Sequence, residues 1–180
     1  MEKPILVGNR VRLRPITVED APRMYEGIFD EESTRLTGTQ GEFTLEQVTA
    51  FCEKVSKADD RVDYAITLLD DSDALYVGEV VLNQFDSDNN SAVFRIALMG
   101  KDYFGKGYGT EATRLIVQFG FETLKLNRIE LEVYDFNPRA QHVYEKVGFV
   151  KEGVRREVLL WEGKYQNGIV MSMLASDYFK

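Results

Sequence analysis

The amino-acid sequence predicts an α+β fold: one domain over 1–180, with a mixed, mostly antiparallel sheet of about seven strands flanked by about four helices. Three observations lead there. Strand patterns between 63 and 99 are separated by the runs "DDSD" and "DSDNN", rich in turn-forming Asp, Ser and Asn. A strand–helix–strand run over 91–134 makes one parallel crossover. Two last strand patterns are joined by "EGKYQNG".

The elements follow in order. Residues 10–15, "RVRLRP", alternate as a strand ended by Pro15. Residues 18–30 read as a helix capped by Thr17. Residues 45–58 read as a second helix, where "TLEQ" is a capping box with Thr44 as N-cap and Gln47 answering it. Strands near 63–69, 75–85 and 91–99 come next. Ala112, Leu115, Ile116 and Phe119 then share one helical face, as a helix buried on a sheet requires. In 128–134, Ile129, Leu131 and Val133 alternate with Arg128, Glu130 and Glu132, the period of a strand. A helix from 138 to 147 opens on Pro138, which suits a first turn, and stops at Gly148. Strands near 154–161 and 166–174 close the chain.

Composition removes several classes of function. The 180 residues suit one domain, and an apolar share of 44% is ordinary for a globular core. No apolar run reaches the roughly 18 residues of a membrane span, and "MEKPILVGNRVRLRP" lacks a signal-peptide core. The single cysteine, Cys52, excludes an internal disulfide and fits a reducing, cytoplasmic setting. Its place in the second helix reads as core. The single histidine, His142, reads as a solvated helix residue, and with so few soft ligands no metal is expected. Net charge is −8, which argues against a nucleic-acid partner. The acids cluster at Asp30, Glu31 and Glu32, at Asp70, Asp71 and Asp73, and at Asp86 and Asp88. They read as solvated loops whose field attracts cationic partners.

One stretch breaks the local rules. In "YFGKGYGTEA", residues 103–112, Gly105, Gly107 and Gly109 stand just before the third helix. Glycine orders at the highest backbone-entropy cost, and Ser, Thr or Asp caps a helix better. Backbone without side chains, ahead of a helix N-terminus with its unpaired N–H groups and partial positive charge, suits a phosphate. The expected cradle is residues 105–110, with the Thr110 N–H at the helix start and Lys106 as an added cation. The run is neither a P-loop, which needs G-x-x-x-x-G-K-[ST], nor the Rossmann G-x-G-x-x-G, so NAD is a distant ligand.

A second constellation, "NPRAQHVYEKVGF" over 137–149, places Asn137, Ala140 and Tyr144 on one helix stripe. With both motifs in place, the sequence resembles the GNAT superfamily of acetyl-CoA-dependent N-acetyltransferases. Residues 104–109 match its Q/R-x-x-G-x-G/A loop, and 137–149 match N-x-x-A-x-x-x-Y-E-K-x-G-F. The likeness runs from "RVRLRPIT" to "EGVRREVLLWEGKYQNGIVMSML", in the manner of the RimJ/RimL branch that includes ribosomal-protein and spermidine acetyltransferases.

The resemblance implies roles. The backbone of Leu98, Met99 and Gly100 would hold the pantetheine arm and acetyl carbonyl. Phe104, Gly105, Lys106, Gly107, Tyr108, Gly109 and Thr110 would hold the pyrophosphate. Asn137 would face the pantetheine, and Tyr144 would stand near the sulfur as general acid. Two positions depart from the pattern: Phe104 replaces Gln or Arg, and Val93 stands where many relatives carry a strand glutamate. The base is therefore sought elsewhere, at Glu79 or Asp135. Trp161, Tyr165 and Tyr134 are candidates for lining an acceptor pocket. The chemistry needs no covalent enzyme intermediate: a neutral amine attacks the thioester, backbone N–H groups steady the oxyanion, and a tyrosine O–H meets the departing thiolate. The expected partner is an amine, either a protein N-terminus or a small amine such as a polyamine, and relatives often form homodimers. A catalytically weak CoA-binding module is the reading from another class.

Overall fold

The computed structural model describes residues 1–180. Strand β1 (Leu6–Val7) turns into β2 (Val11–Pro15); helices α1 (Ala21–Gly27), α2 (Glu31–Thr37) and α3 (Leu45–Lys57) follow. Strands β3 (Val62–Leu68), β4 (Gly78–Asp86) and β5 (Ser91–Leu98) form a meander, and α4 (Tyr108–Gln118) crosses to β6 (Arg128–Tyr134). Helix α5 (Pro138–Val147), strands β7 (Val150–Trp161) and β8 (Lys164–Leu174), and the short α6 (Ala175–Tyr178) complete the chain. The eight strands make one sheet in the order β1-β2-β3-β4-β5-β6-β8-β7. Every pair is antiparallel except β5 and β6, which the α4 crossover makes parallel.

Local sequence explains most boundaries. Thr44 and Gln47 form the capping box of α3, and its Oγ1 accepts from the Gln47 N–H at 3.2 Å. Pro138 and Gly148 bound α5, with Gly148 at φ 124°. The expected turn "EGKYQNG" is shorter than its seven letters suggest. Only Glu162 and Gly163 turn, both with positive φ, and Lys164 already belongs to β8.

The helix expected over 18–30 is divided. A single 3-10 turn (Val18–Asp20) precedes α1, and α2 is a separate helix. Asp20 anchors the break: its buried carboxylate takes two hydrogen bonds from the Arg14 guanidinium, at 2.6 and 2.8 Å, and one from the Thr17 N–H at 2.9 Å. Asp30 then starts α2, accepting from the Ser33 N–H at 2.8 Å. The acidic clusters are thus structural as well as solvated. Asp71 and Asp86 likewise each accept two backbone N–H bonds within their own turns. Strand β1 and helix α6 add to the expected set, and residues 75–77 lie ahead of β4 rather than in it.

The sheet has a core on each face. One packs Leu13, Tyr64, Leu82, Phe94 and Ile129 under Ile116 of α4 and Tyr144 of α5. The other packs Ile16, Val48, Cys52, Val55, Ala65 and Tyr76 beneath α1 and α3. Between them the sheet is nearly split. Strands β5 and β6 are paired only at Ser91–Arg128, Ala92–Ile129 and Val93–Glu130. Beyond Val93 they diverge, and the gap is the functional feature of the fold.

Candidate active site

A cavity of about 620 Å³ fills the gap. Val93 to Leu98 of β5 and Leu131 to Tyr134 of β6 form its walls, the α4 N-terminus and α5 close one side, and α2 contributes Ser33, Leu36 and Thr37. The mixture of apolar walls with a few polar groups is what a small-molecule site requires.

The glycines that meet here are not there for one shared reason. Gly105 and Gly107 have φ of 70° and 81°, the left-handed region where a side chain is strained. A Cβ on Gly107 would also run into the Arg10 guanidinium, which donates to the Lys106 carbonyl at 2.6 Å. Gly109 needs neither reason. It lies in the first turn of α4, and a Cβ there would meet only Ile96 Cδ1, at 3.9 Å. Gly107 is the N-cap and supplies no side-chain cap, so the first amides of the helix stay open towards the cavity. Glu111 of the same turn accepts from the Asn9 and Arg10 amides and so ties the β1–β2 turn to α4. The Arg139 guanidinium lies 4.8 Å from the centre of the Phe104 ring, bringing a cation to the loop.

Of the residues singled out in the sequence, Glu79, Leu98, Phe104, Gly105, Gly107, Tyr108, Gly109, Thr110, Asn137 and Tyr144 all line the cavity. Lys106, Met99 and Gly100 do not. Lys106 points to solvent, Met99 packs against the core under α1 and α3 with its sulfur accepting from the Arg23 guanidinium at 3.3 Å, and Gly100 faces the Asp30 carboxylate. The Leu98 carbonyl already accepts from Ser33 Oγ at 2.8 Å. Asn137 has a structural duty too: its Oδ1 caps α5 through the Ala140 N–H at 3.2 Å.

Tyr144 is buried edge-on against Phe94, with ring centres 5.7 Å apart, and burial alone raises its phenol above the ordinary range. Tyr144 is one of the residues that line the cavity. Glu79 lies on the opposite face of the sheet, where its neighbours in register are Ala65 and Ala97. Its Oε2 is shut off from water without a hydrogen-bond partner. Burial, then the Asp63 charge, push the carboxyl up to about 7, against smaller opposing pulls from Arg95 and Arg61.

The remaining candidates separate. Tyr134 lines the main cavity; Trp161 lines a smaller one with Arg35 and Phe136, its Nε1 buried and unpartnered. Tyr165 is exposed outside both. Asp135 is turned away and ties β6 to β8 through Asn167. His142 is exposed on α5. Cys52 is fully buried, and burial raises its thiol to about 11, which makes it inert. Sequence reasoning passed over Ser33, Arg95 and Arg139. The first sits in an unrecognised helix, and the other two are ordinary arginines until the fold brings them to the cavity.

Comparison with known proteins agrees with this geometry. The family described as "Acetyltransferase (GNAT) domain" matches residues 10–150. "Probable N-acetyltransferase YjcK" of Bacillus subtilis (strain 168) is 30% identical over 182 residues, spanning 96% of this chain and 98% of that protein. Spermidine N(1)-acetyltransferase of Vibrio cholerae is 32% identical over 111 residues, 62% of this chain and 64% of that one. Among solved structures, spermidine N-acetyltransferase from Vibrio cholerae in complex with CoA and spermine superposes with a TM-score of 0.85 at 24% identity, covering 94% of this chain and 98% of that chain. No helix is long and apolar enough to cross a membrane. With the family matched across most of the chain, and its loop and helix motifs meeting at one cavity, the chain belongs to the GNAT acetyltransferase family, in its RimJ/RimL-like branch, and is an N-acetyltransferase.

Proposed function

We propose that this N-acetyltransferase moves an acetyl group from acetyl-CoA to the α-amine of a polypeptide N-terminus. The observation that carries the acceptor is Glu79, a carboxyl at the cavity wall with an unpartnered oxygen and a pKa of about 7. A polypeptide α-amine, with a pKa near 7.7–8.0, is matched to such a base; an alkyl ammonium near 10.4 surrenders its proton far less readily. Val93 occupies the position where many relatives carry a glutamate, and Glu79 supplies a carboxylate from the neighbouring strand instead.

The residues present fit acetyl-CoA. The open amides of α4, the left-handed glycines and the cation of Arg139 form an anion cradle for its diphosphate. When bound, acetyl-CoA supplies an activated acetyl thioester. Glu79 takes the proton that the amine loses as its nitrogen bonds to the acetyl carbon. Tyr144 holds a proton for the sulfur as the C–S bond breaks. Burial keeps the phenol neutral, and the same dry surroundings raise the proton affinity of a thiolate beside it. Backbone amides can steady charge on the carbonyl oxygen.

A polyamine acceptor is the second reading, favoured by the relatives named as spermidine acetyltransferases. The two are separated by comparing kcat/KM for free N-terminal peptides, the same peptides blocked at the α-amine, and spermidine, from about pH 6.5 to 9.5. Peptide turnover that disappears on blocking supports the α-amine. Spermidine turnover far above every free peptide, or a peptide rate indifferent to blocking, overturns it.

A further inference from the structure

We propose that Arg95 is a specificity-determining residue, its guanidinium receiving the carbonyl oxygen next to the reacting amine and so selecting α-amino acyl acceptors over polyamines. The inference rests on the α-amine reading above and names the group that enforces it.

Arg95 stands in the middle of β5 and lines the cavity. Register puts it opposite Val81 of β4, on the same sheet face as Glu79 one pair further along. It has no ion pair or hydrogen bond in the chain, although acids lie close by. The carboxylates of β6 that alternate onto this face are both held by other arginines. Glu130 binds Arg128 at 2.7 Å, and Glu132, which also lines the cavity, binds Arg155 at 2.6 Å. Glu79 is the remaining acid, and it needs a free lone pair to receive a proton. From β6 the Tyr134 ring faces the same space; α2 presents only Ser33, Leu36 and Thr37 there. The other arginine of the cavity, Arg139, is at the far end over Phe104.

An unpaired guanidinium beside the site of amine deprotonation has two chemical consequences. It disfavours an acceptor that brings further positive charge, as every polyamine does. It also offers a rigid donor fork to an oxygen acceptor close to the amine, and an α-amine always carries a carbonyl one carbon away. The shared chemistry is an amine next to a carbonyl or carboxylate oxygen, which a peptide and a free amino acid both provide.

The test compares the parent with Arg95→Met and Arg95→Gln against a free tripeptide amide, a free amino acid and spermidine, recording kcat and KM separately. The expected result is a peptide kcat/KM lowered roughly ten- to a hundredfold, mostly through KM, as loss of a charged hydrogen bond implies. Spermidine turnover stays level or rises, and the acetyl-CoA KM is unchanged. A parallel loss for the amino acid with none for the peptide amide assigns Arg95 to a free carboxylate and overturns the peptide assignment. An equal loss for peptide and spermidine, or no loss for either the peptide or the amino acid, overturns the proposal altogether. The change in the peptide-to-spermidine ratio is readable whichever acceptor the parent prefers, so failure here is distinct from failure of the α-amine reading. Arg95 is exposed, so both variants are expected to fold, and melting temperatures check this.

Discussion

Glu79 shows how one residue links stability to chemistry. Its folded pKa of about 7 stands above the ordinary carboxylate value of 4.5 because burial and Asp63 disfavour the charge. The folded chain therefore holds this proton more tightly than the unfolded chain. The stabilisation is complete below about pH 4.5 and is lost as pH rises through about 7. Glu79→Gln keeps the shape and removes the titration. Its melting temperature should exceed the parent's at pH 8 and vary less between pH 5 and 8. As the proposed base, Glu79 should also set an acid limb near pH 7 in kcat/KM, and its replacement should cost about 10²–10⁴ in rate. Parent-like pH dependence of both melting and rate in the variant would return Glu79 to a purely structural role.

At the scale of elements, the start of α4 trades helix stability for open backbone. Gly105 and Gly107 are demanded by their positive φ, but Gly109 sits in ordinary helical backbone with space around it. Alanine there should stabilise the free protein by up to about 1 kcal/mol, or about 2–4 °C for a chain of this size. Its methyl group would stand on the cavity side and hinder a phosphate from reaching the amides. Gly109→Ala should accordingly melt higher while binding acetyl-CoA roughly tenfold more weakly, as expected when one charged hydrogen bond is lost. Calorimetric titration beside a thermal melt measures both, and undiminished affinity would mean that the diphosphate lies elsewhere.

In the whole molecule one sheet and one main core are continuous across a narrow seam. Strands β1 to β5 with α1 to α3 lie on one side, and β6 to β8 on the other. Only three residue pairs join β5 to β6 before the cavity opens, although α4 and α5 bridge the two sides from one face. A ligand seated in the gap ties the halves together and binds the folded state alone. Acetyl-CoA at about 100 times its dissociation constant should add about 2.7 kcal/mol, raising the melting temperature by roughly 5–11 °C. NAD and ATP, which share the diphosphate but lack a pantetheine arm for the gap, should give little shift. A shift with NAD equal to that with acetyl-CoA would contradict the assignment of the cavity.

What the sequence determined by itself was local. The capping box at Thr44, the Pro138 and Gly148 bounds of α5, the two-residue periods of β2 and β6, and the out-of-place glycines all act within a few residues, so their signals survive without a fold. The loop and the Asn137–Tyr144 stripe were legible for the same reason, and with them the family. What only the tertiary structure decided depends on partners far along the chain. Asp30 begins α2, whose Ser33 reaches Leu98; Glu79 becomes a weaker acid because the fold buries it and sets the Asp63 charge nearby. Most of all, the separation of β5 from β6 beyond Val93 leaves no mark in either strand's pattern. Alternation tells which face a residue takes, but the distance between two strands is set by what packs on both of them, and here that distance makes the site.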